Sequence, residues 1–229
     1  MNAQELYDAF RSDVVDTAKP YLWKDEEVFR YMDAAYKMFV RLTGGIADIT
    51  TSEVCNVDLV AGTDMYDLHP SILRIMGATR LSDAGIVEVI NQTDTPKLFK
   101  SAYDYGQFRQ FMMTNTPGPV RYLVIGRQRG KAKTIQIPAE NDTLLLDVFR
   151  LPLNTITDEN GLMDEVREDH HLYFLDWMKH LAYKKNDSET FDKGKSQEYK
   201  QSFEEYCANV KAEWERYKHK TRIVAYGGL

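Results

Sequence analysis

The first fifty residues repeat apolar side chains with the period of an amphipathic helix. Leu6, Phe10 and Val14 recur every four residues, and the repeat stops before Pro20, where a helix cannot continue. A second apolar stripe ends at Gly44-Gly45, a glycine pair typical of a helix C-terminus. Its members are Val28, Met32, Ala35, Tyr36, Phe39 and Val40. The pattern predicts two helices joined by a tight connection, with Asp25 as the cap of the second helix.

From about Thr50 the period changes to two, which is the period of a half-buried strand. The predicted strands lie at 54–60, 65–68, 86–90, 120–125, 134–137 and 144–149. The segment 71–80 begins with a helical pattern at Ser71-Ile72-Leu73, and residues 95–113 fit a short helix or a loop equally well. The middle of the chain is therefore predicted to be rich in strands.

Helical periodicity returns after Gly161. One apolar stripe runs from Leu172 to Ala182, and a second one spans about 189–219, which is long for a helix in a globular protein. The second stripe consists of Tyr199, Phe203, Tyr206, Val210, Trp214 and Tyr217. The polar face of this last helix alternates in charge, a pattern typical of a solvated face.

Together these patterns predict an α+β protein. Two amphipathic helices cannot cover each other's apolar faces alone, so the two helical pairs are expected to form one four-helix bundle made by both chain ends. The predicted bundle comprises residues 1–49 and 160–220, an antiparallel β-rich lobe is inserted at 50–159, and residues 221–229 form a C-terminal docking tail.

Composition excludes several classes of protein. The chain has 229 residues, 43% hydrophobic and 28% charged, which does not suit a disordered, collagen-like or disulfide-scaffold protein. No apolar run reaches the about 20 residues of a membrane span, and no signal peptide is visible. The net charge of −6 argues against a general binder of duplex DNA. Cys55 and Cys207 are expected to be reduced thiols.

The sequence contains no motif that predicts a catalytic residue, a metal site or a cofactor. The stretch from Gly126 to Ala132 lacks the glycine spacing and the final Ser or Thr of a phosphate-binding loop. His170 and His171 are adjacent, so on a helix they point about 100° apart and cannot share one ion. Asp176 and His180 supply only two of the ligands that zinc requires. A metal-dependent enzyme using residues 164–180 remains an alternative.

A basic cluster lies around the predicted turn at 126–133. Its cations are Arg121, Arg127, Arg129, Lys131 and Lys133. The cluster can contact a nucleic-acid backbone, solubilise a hairpin tip or pair with an acidic partner. A nucleic-acid-binding module using Arg127 to Lys133 is therefore the first alternative function, and the hairpin is a candidate surface for DNA or a partner.

Several short motifs, in their order and spacing, resemble the head-to-tail adaptor (connector or tail tubular-type) proteins of tailed phages. The similar stretches lie at 10–27, 59–75, 116–122, 148–153, 171–192 and 199–203. The first includes Phe10-Arg11, Asp13, Asp16 and Pro20-Tyr21-Leu22-Trp23, and the fifth includes Trp177 and Ala182-Tyr183. The resemblance covers residues 5–205 and implies a structural protein of the virion.

The resemblance implies a ring of about twelve copies below the portal vertex, where the ring presents a platform for tail or nozzle proteins. Genomic DNA would pass through it without sequence-specific binding, and no membrane would be involved. The expected location is the head–tail junction of the virion, after assembly in the cytoplasm of the host bacterium.

Two surfaces carry these expected contacts. The ring interface is expected on the last helix, at Lys211, Glu213, Glu215 and Arg216. Docking to the portal protein is expected from the C-terminal segment, at Lys218, Lys220, Arg222, Ile223, Val224 and Tyr226. Cations followed by apolar residues suit an acidic, partly apolar cleft.

Overall fold

The computed structural model describes residues 1–91, 106, 110, 117–187 and 189–218. The chain divides into two compact units, Met1–Gly45 with Pro152–Leu229 and Ile46–Leu151. We call them the helical unit and the sheet unit. The helices of the helical unit are α1 (Ala3–Asp13), α2 (Asp25–Thr43), α4 (Phe174–Lys184) and α5 (Lys193–Lys218), and a 3₁₀ helix (Glu168–Tyr173) precedes α4.

Helix α2 confirms the predicted second helix and its stop signal. Gly44 ends the helix in the left-handed conformation at φ +107°, where an L side chain would be strained. The predicted cap is wrong, because Asp25 is already the first helical residue. Instead the Glu27 carboxylate accepts a hydrogen bond from the backbone N–H of Lys24 (3.1 Å). The apolar stripe of α2 is buried from Val28 to Val40.

The predicted four-helix bundle is wrong. The helices of this unit differ widely in length, since α1 has 11 residues and α5 has 26. Helix α2 packs against α4 and α5, and α1 lies beside α2 and α4. Residues 14–24 leave the helical path because Asp16 accepts hydrogen bonds from the backbone N–H groups of Leu22 and Trp23. The first helix is thereby shortened to a small element at the side of the other three.

The sheet unit contains eight strands and the short helix α3 (Ser52–Cys55) among its described residues. The strands are β1 (Ile46–Asp48), β2 (Asn56–Leu59), β3 (Met65–Asp67), β4 (Ile72–Arg80), β5 (Ile86–Asn91), β6 (Tyr122–Gln128), β7 (Lys131–Thr134) and β8 (Asp142–Arg150). Their order is β1-β8-β4-β5-β6-β7-β3, and β2 also pairs with β8. Strand β2 lies beside β8, near one end of this order, and a short turn joins it to β3 at the other end. The sheet therefore curls.

The predicted antiparallel lobe is also corrected, because the sheet is mixed. Strands β5 and β6 pair in parallel, with Glu88 opposite Tyr122. A parallel pair requires a long crossover connection, which the strand pattern alone did not reveal. The helical start predicted at Ser71 is wrong, since Ile72–Arg80 is a nine-residue strand. The strand predicted at 134–137 lies instead at Lys131–Thr134.

A buried core and one buried ion pair stabilise the sheet unit. Leu123, Leu144, Leu146 and other inward strand residues form a shared apolar cluster inside the curled sheet. The Asp48 carboxylate pairs with the Arg150 guanidinium and accepts hydrogen bonds from the backbone N–H groups of Thr50 (2.9 Å) and Thr51 (3.0 Å). Burial acts to raise the pKa of Asp48, but these hydrogen bonds outweigh it and hold the pKa below its usual range.

Candidate functional site

The end of α5 is the most exposed part of the helices that the structure describes. The buried stripe of this helix consists of Phe203, Cys207 and Val210, and it stops there. The four residues predicted for a ring interface, Lys211, Glu213, Glu215 and Arg216, are all exposed. Among the described residues none of the four has an ion-pair partner. We call Lys211–Lys218 the projecting end; its position is compatible with contact to another molecule.

The base of α5, in contrast, is fixed to α4. The Asp192 carboxylate accepts a hydrogen bond from the backbone N–H of Lys195 (3.0 Å), as a helix cap does. The buried Nδ1 of His180 lies 2.8 Å from the carbonyl oxygen of Ser196, and the Ser196 hydroxyl donates to the carbonyl oxygen of His180 (3.1 Å). Burial lowers the pKa of His180 and keeps it neutral. The base therefore holds the direction of the helix.

The first resembling motif forms a structural cluster. Arg11 is buried and pairs with Asp16 and, at 2.7 Å, with Asp25. Its guanidinium carbon lies 4.1 Å from the centre of the Tyr21 ring, a cation–π contact. A hydrogen bond from the Tyr7 hydroxyl lowers the pKa of Asp25. This cluster fixes the connection between α1 and α2.

Trp23 links this cluster to the fifth similar stretch, at residues 171–192. Its Nε1–H donates to the carbonyl oxygen of Ala182 (3.2 Å), and its ring packs edge-on against Phe10 and Tyr183. Residues of the two motifs, 159 positions apart, thus meet inside the helical unit. The large rings beside Pro20 predicted a tight connection between α1 and α2, but they did not predict the contact with Ala182 and Tyr183.

The basic hairpin is only partly available to a partner. Strand β6 continues into the predicted turn as far as Gln128, and the chain reverses at Gly130, which has a φ of +71°. Lys131 pairs with Asp67 (3.1 Å) and Lys133 pairs with Asp64 (2.7 Å). Arg127 and Arg129 are exposed and have no ion-pair partner among the described residues. Two of the four cations from Arg127 to Lys133 are therefore neutralised by neighbouring carboxylates.

The structure does not bring the histidine region together as a metal site. Asp176 accepts a hydrogen bond from Ser202 (2.7 Å), whereas the ring of His180 contacts Ser196. His170 contacts the Tyr206 hydroxyl, and His171 lies between the carbonyl oxygens of Met1 and Val166. Within 1–91, 117–187 and 189–218, no three His, Cys, Asp or Glu side chains converge as metal ligands.

A cavity of about 220 Å³ opens in the sheet unit beside Leu59 and Pro138. Its polar lining is used for structural contacts: Arg80 pairs with Asp83 (2.7 Å), and Asp142 accepts a hydrogen bond from the Ser82 hydroxyl (2.7 Å). Both cysteines are buried free thiols, which confirms the prediction for Cys55 and Cys207. Burial raises the pKa of Cys207 to about 12, so its thiol is unreactive.

The C-terminal segment lies largely outside the described residues. Of the residues predicted to dock on the portal, Lys220, Arg222, Ile223, Val224 and Tyr226 are not described, and only the helical backbone is described at Lys218. None of the described helices is both long enough and apolar enough to cross a bilayer.

Exposed surfaces on rigid supports are typical of assembly proteins, and the comparison with known families agrees with this class. The family model of the SU10 adaptor protein matches residues 1–223, so the chain belongs to the SU10 adaptor protein family. It is a structural adaptor of a phage virion, which confirms the resemblance noted in the sequence. No curated protein matches the chain.

Proposed function

We propose that the chain is a head-to-tail adaptor that forms a ring of about twelve copies below the portal vertex. The observation that carries this proposal is the family match over residues 1–223, which includes the described part of the helical unit and the inserted sheet unit. In this role the ring binds the portal protein on one side and presents a platform for tail or nozzle proteins on the other. Its location is the head–tail junction, after assembly in the bacterial cytoplasm.

The ring interface is proposed at the projecting end of α5. Lys211, Glu213, Glu215 and Arg216 are exposed there and carry both signs of charge. A ring requires a heterologous interface, in which two different surfaces of the chain meet and the rotation closes. The fixed base of α5 supports this assignment, since it presents the end in one direction to each neighbouring copy.

Portal docking is proposed for the last residue of α5 and the C-terminal residues that follow it. Lys218, Lys220 and Arg222 precede Ile223, Val224 and Tyr226, so one short segment supplies cations and then apolar groups. An acidic cleft with an apolar floor is the complementary partner surface. The segment begins where the projecting end of α5 finishes, and it is thus presented at the end of a supported helix.

A conduit for DNA is compatible with the charge of the chain. The net charge is −6, and an acidic lumen does not retain phosphates during passage. The exposed Arg127 and Arg129 are the candidate contacts to DNA or to another partner, without reading its sequence.

The test is binding to the portal protein encoded with this chain, followed by electron microscopy and native mass spectrometry. The full chain is expected to form rings on the portal vertex, whereas a chain lacking residues 221–229 is expected to keep its circular dichroism spectrum and lose docking. Undiminished docking of the shortened chain would exclude the tail assignment.

Two matched variants separate the contributions inside the tail. In one, Lys218, Lys220 and Arg222 are replaced by Ser, and in the other Ile223, Val224 and Tyr226 are replaced by Ser. The first is expected to slow association and to reduce its dependence on salt, and the second to speed dissociation. An Arg41→Ser and Lys193→Ser chain, which removes two exposed cations outside the proposed contacts, controls for general loss of positive charge and is expected to dock like the wild type.

A further inference from the structure

An aromatic side chain of α5 is left uncovered on the side where the helix is otherwise buried. With about 100° per residue, Trp214 lies on the same side of the helix as Phe203 and Val210. These two residues are buried, but Trp214 is 53% exposed because the core of the helical unit ends before it. Lys211, three residues earlier, shares this side and is exposed. We call Lys211 and Trp214 the helix-end patch.

A second uncovered apolar surface lies on the outer face of the sheet unit. In the strand register, Thr79 of β4 lies opposite Leu145 of β8 on one side and Ile86 of β5 on the other. Ile86 is 85% exposed, and Leu81 is also exposed at the end of β4. Across-strand neighbours have Cβ atoms about 5 Å apart, so Leu145, Thr79 and Ile86 form one row, and Leu81 lies two residues after Thr79. We call Leu81, Ile86 and Leu145 the sheet-face patch.

Acidic residues surround the sheet-face patch. Asp58, Glu88 and Asp147 are exposed on neighbouring strands, at outward positions of the register. Of the cations near this face, Arg74 stacks on Phe149, with its guanidinium carbon 4.8 Å from the ring centre, and the exposed Arg121 lies next to Glu88. The sheet-face patch therefore has apolar side chains on both sides of Thr79 and acidic residues at its rim. The helix-end patch, an aromatic ring beside a lysine, has the complementary character.

We propose that the helix-end patch of one copy packs on the sheet-face patch of the next copy. This inference rests on the proposed ring and assigns its two contact surfaces. Both halves of the contact are present on one chain and they differ in shape and charge. A second copy therefore supplies what each patch lacks, and the contact is heterologous, as a closed ring requires. Trp is also among the residue types that dominate binding energy at interfaces.

Cross-linking between two single-cysteine variants tests the pairing directly. Lys211→Cys chains and Glu88→Cys chains are mixed and treated with a short bismaleimide, alone and with the portal protein. The mixture is expected to give a covalent dimer, whereas either variant alone and the wild type are not, since Cys55 and Cys207 are buried. Native mass spectrometry of the same samples reports whether any oligomer forms.

The result separates this inference from the proposed ring. An oligomer that forms without the cross-link between positions 211 and 88 overturns the pairing and leaves the ring standing. The absence of any oligomer, with and without the portal protein, overturns both. A cross-link within Lys211→Cys chains alone points to a symmetric contact and also overturns the pairing.

Substitutions with matched controls provide an independent measurement. Trp214→Ala and Ile86→Glu are each expected to weaken self-association by about tenfold or more, as loss of an interface centre does. The controls are Phe191→Ala, which removes another aromatic ring that is 53% exposed, and Ile49→Glu, which adds the same charge outside the patch. Equal effects of variants and controls would contradict the proposal.

Discussion

The two parts of α5 have the same apolar spacing and opposite surroundings. From Lys193 to Val210 the helix packs on α4 and α2, and its stripe is buried. From Lys211 to Lys218 the same spacing continues at Trp214, whose ring is exposed. A helical stripe shows that an apolar surface exists, and it does not show whether that surface is covered within the chain. A partner is expected to contact the residues that continue the apolar stripe beyond the core of the helical unit.

The comparison predicts the largest effect in the buried part of α5. Phe203→Ala is expected to lower the free energy of unfolding by about 3–5 kcal/mol, because it removes a fully buried ring next to Trp177 and leaves a cavity. Urea unfolding followed by circular dichroism measures the change. Gln201→Ala, on the exposed side of the same turn, is the control and is expected to change the free energy of unfolding by less than about 0.5 kcal/mol.

The anchored base of α5 gives the next effect, which depends on pH. Burial lowers the pKa of His180 in the folded state, so the unfolded chain binds a proton first as the pH falls. The stability that comes from neutral His180 is fully present above about pH 6.5 and is lost at lower pH, by at most about 1.4 kcal/mol per pH unit.

Unfolding midpoints between about pH 7.5 and pH 5.5 measure this loss for the wild type and for His180→Gln, which cannot titrate. The variant is expected to lose less stability than the wild type over this range. Some loss remains, since burial also lowers the pKa of His170. Identical pH profiles would show that His180 does not contribute.

The smallest effect on stability is expected at the projecting end. Trp214→Ala is expected to change the free energy of unfolding by less than about 0.5 kcal/mol, because the ring is not part of the core and Ala favours a helix. Urea unfolding of a dilute sample measures this value without the contribution of self-association. A loss of about 2 kcal/mol or more would show that Trp214 is covered within its own chain, and the comparison of the two parts would fail.

The helices near the chain ends were largely predictable because their signals are local. Gly44 ends α2 as predicted, and the apolar stripe of α2 is buried as predicted. The bundle was not predictable in the same way. Predicting the packing of the helices requires knowing how far each apolar stripe is covered by other residues. This coverage depends on the lengths of α1 and α5 and on the path of residues 14–24.

The sheet unit shows the same limit at the level of strand pairing. Alternating residues predicted β5 and β8 close to their observed bounds. The same pattern does not show that β5 has a parallel neighbour, because apolar and polar residues alternate along a strand whether its neighbour is parallel or antiparallel. The pattern also predicted a strand at 134–137, whereas the strand lies at Lys131–Thr134. The polar residues at 126–133 indicated a long turn, but the turn at Gly130 is short.

Candidate contact residues could be found from the sequence, but their partners could not. The cations at 127–133 are evident in the sequence, yet only the fold brings Asp64 and Asp67 of a distant turn and strand to Lys133 and Lys131. The buried pairing of Arg11 with Asp16 was missed for a related reason. A charged residue beside an apolar stripe looks exposed until the connection that covers it is known.

The sequence by itself determined the family, the positions of the main helices and the apolar stripe of α5, because these depend on residues close together in the chain or on their order. The tertiary structure alone decided that, among the described side chains, the stripe is covered only as far as Val210. Coverage depends on residues far apart in sequence, and the free energy gained by burying an apolar surface is the same whether its partner belongs to this chain or to another.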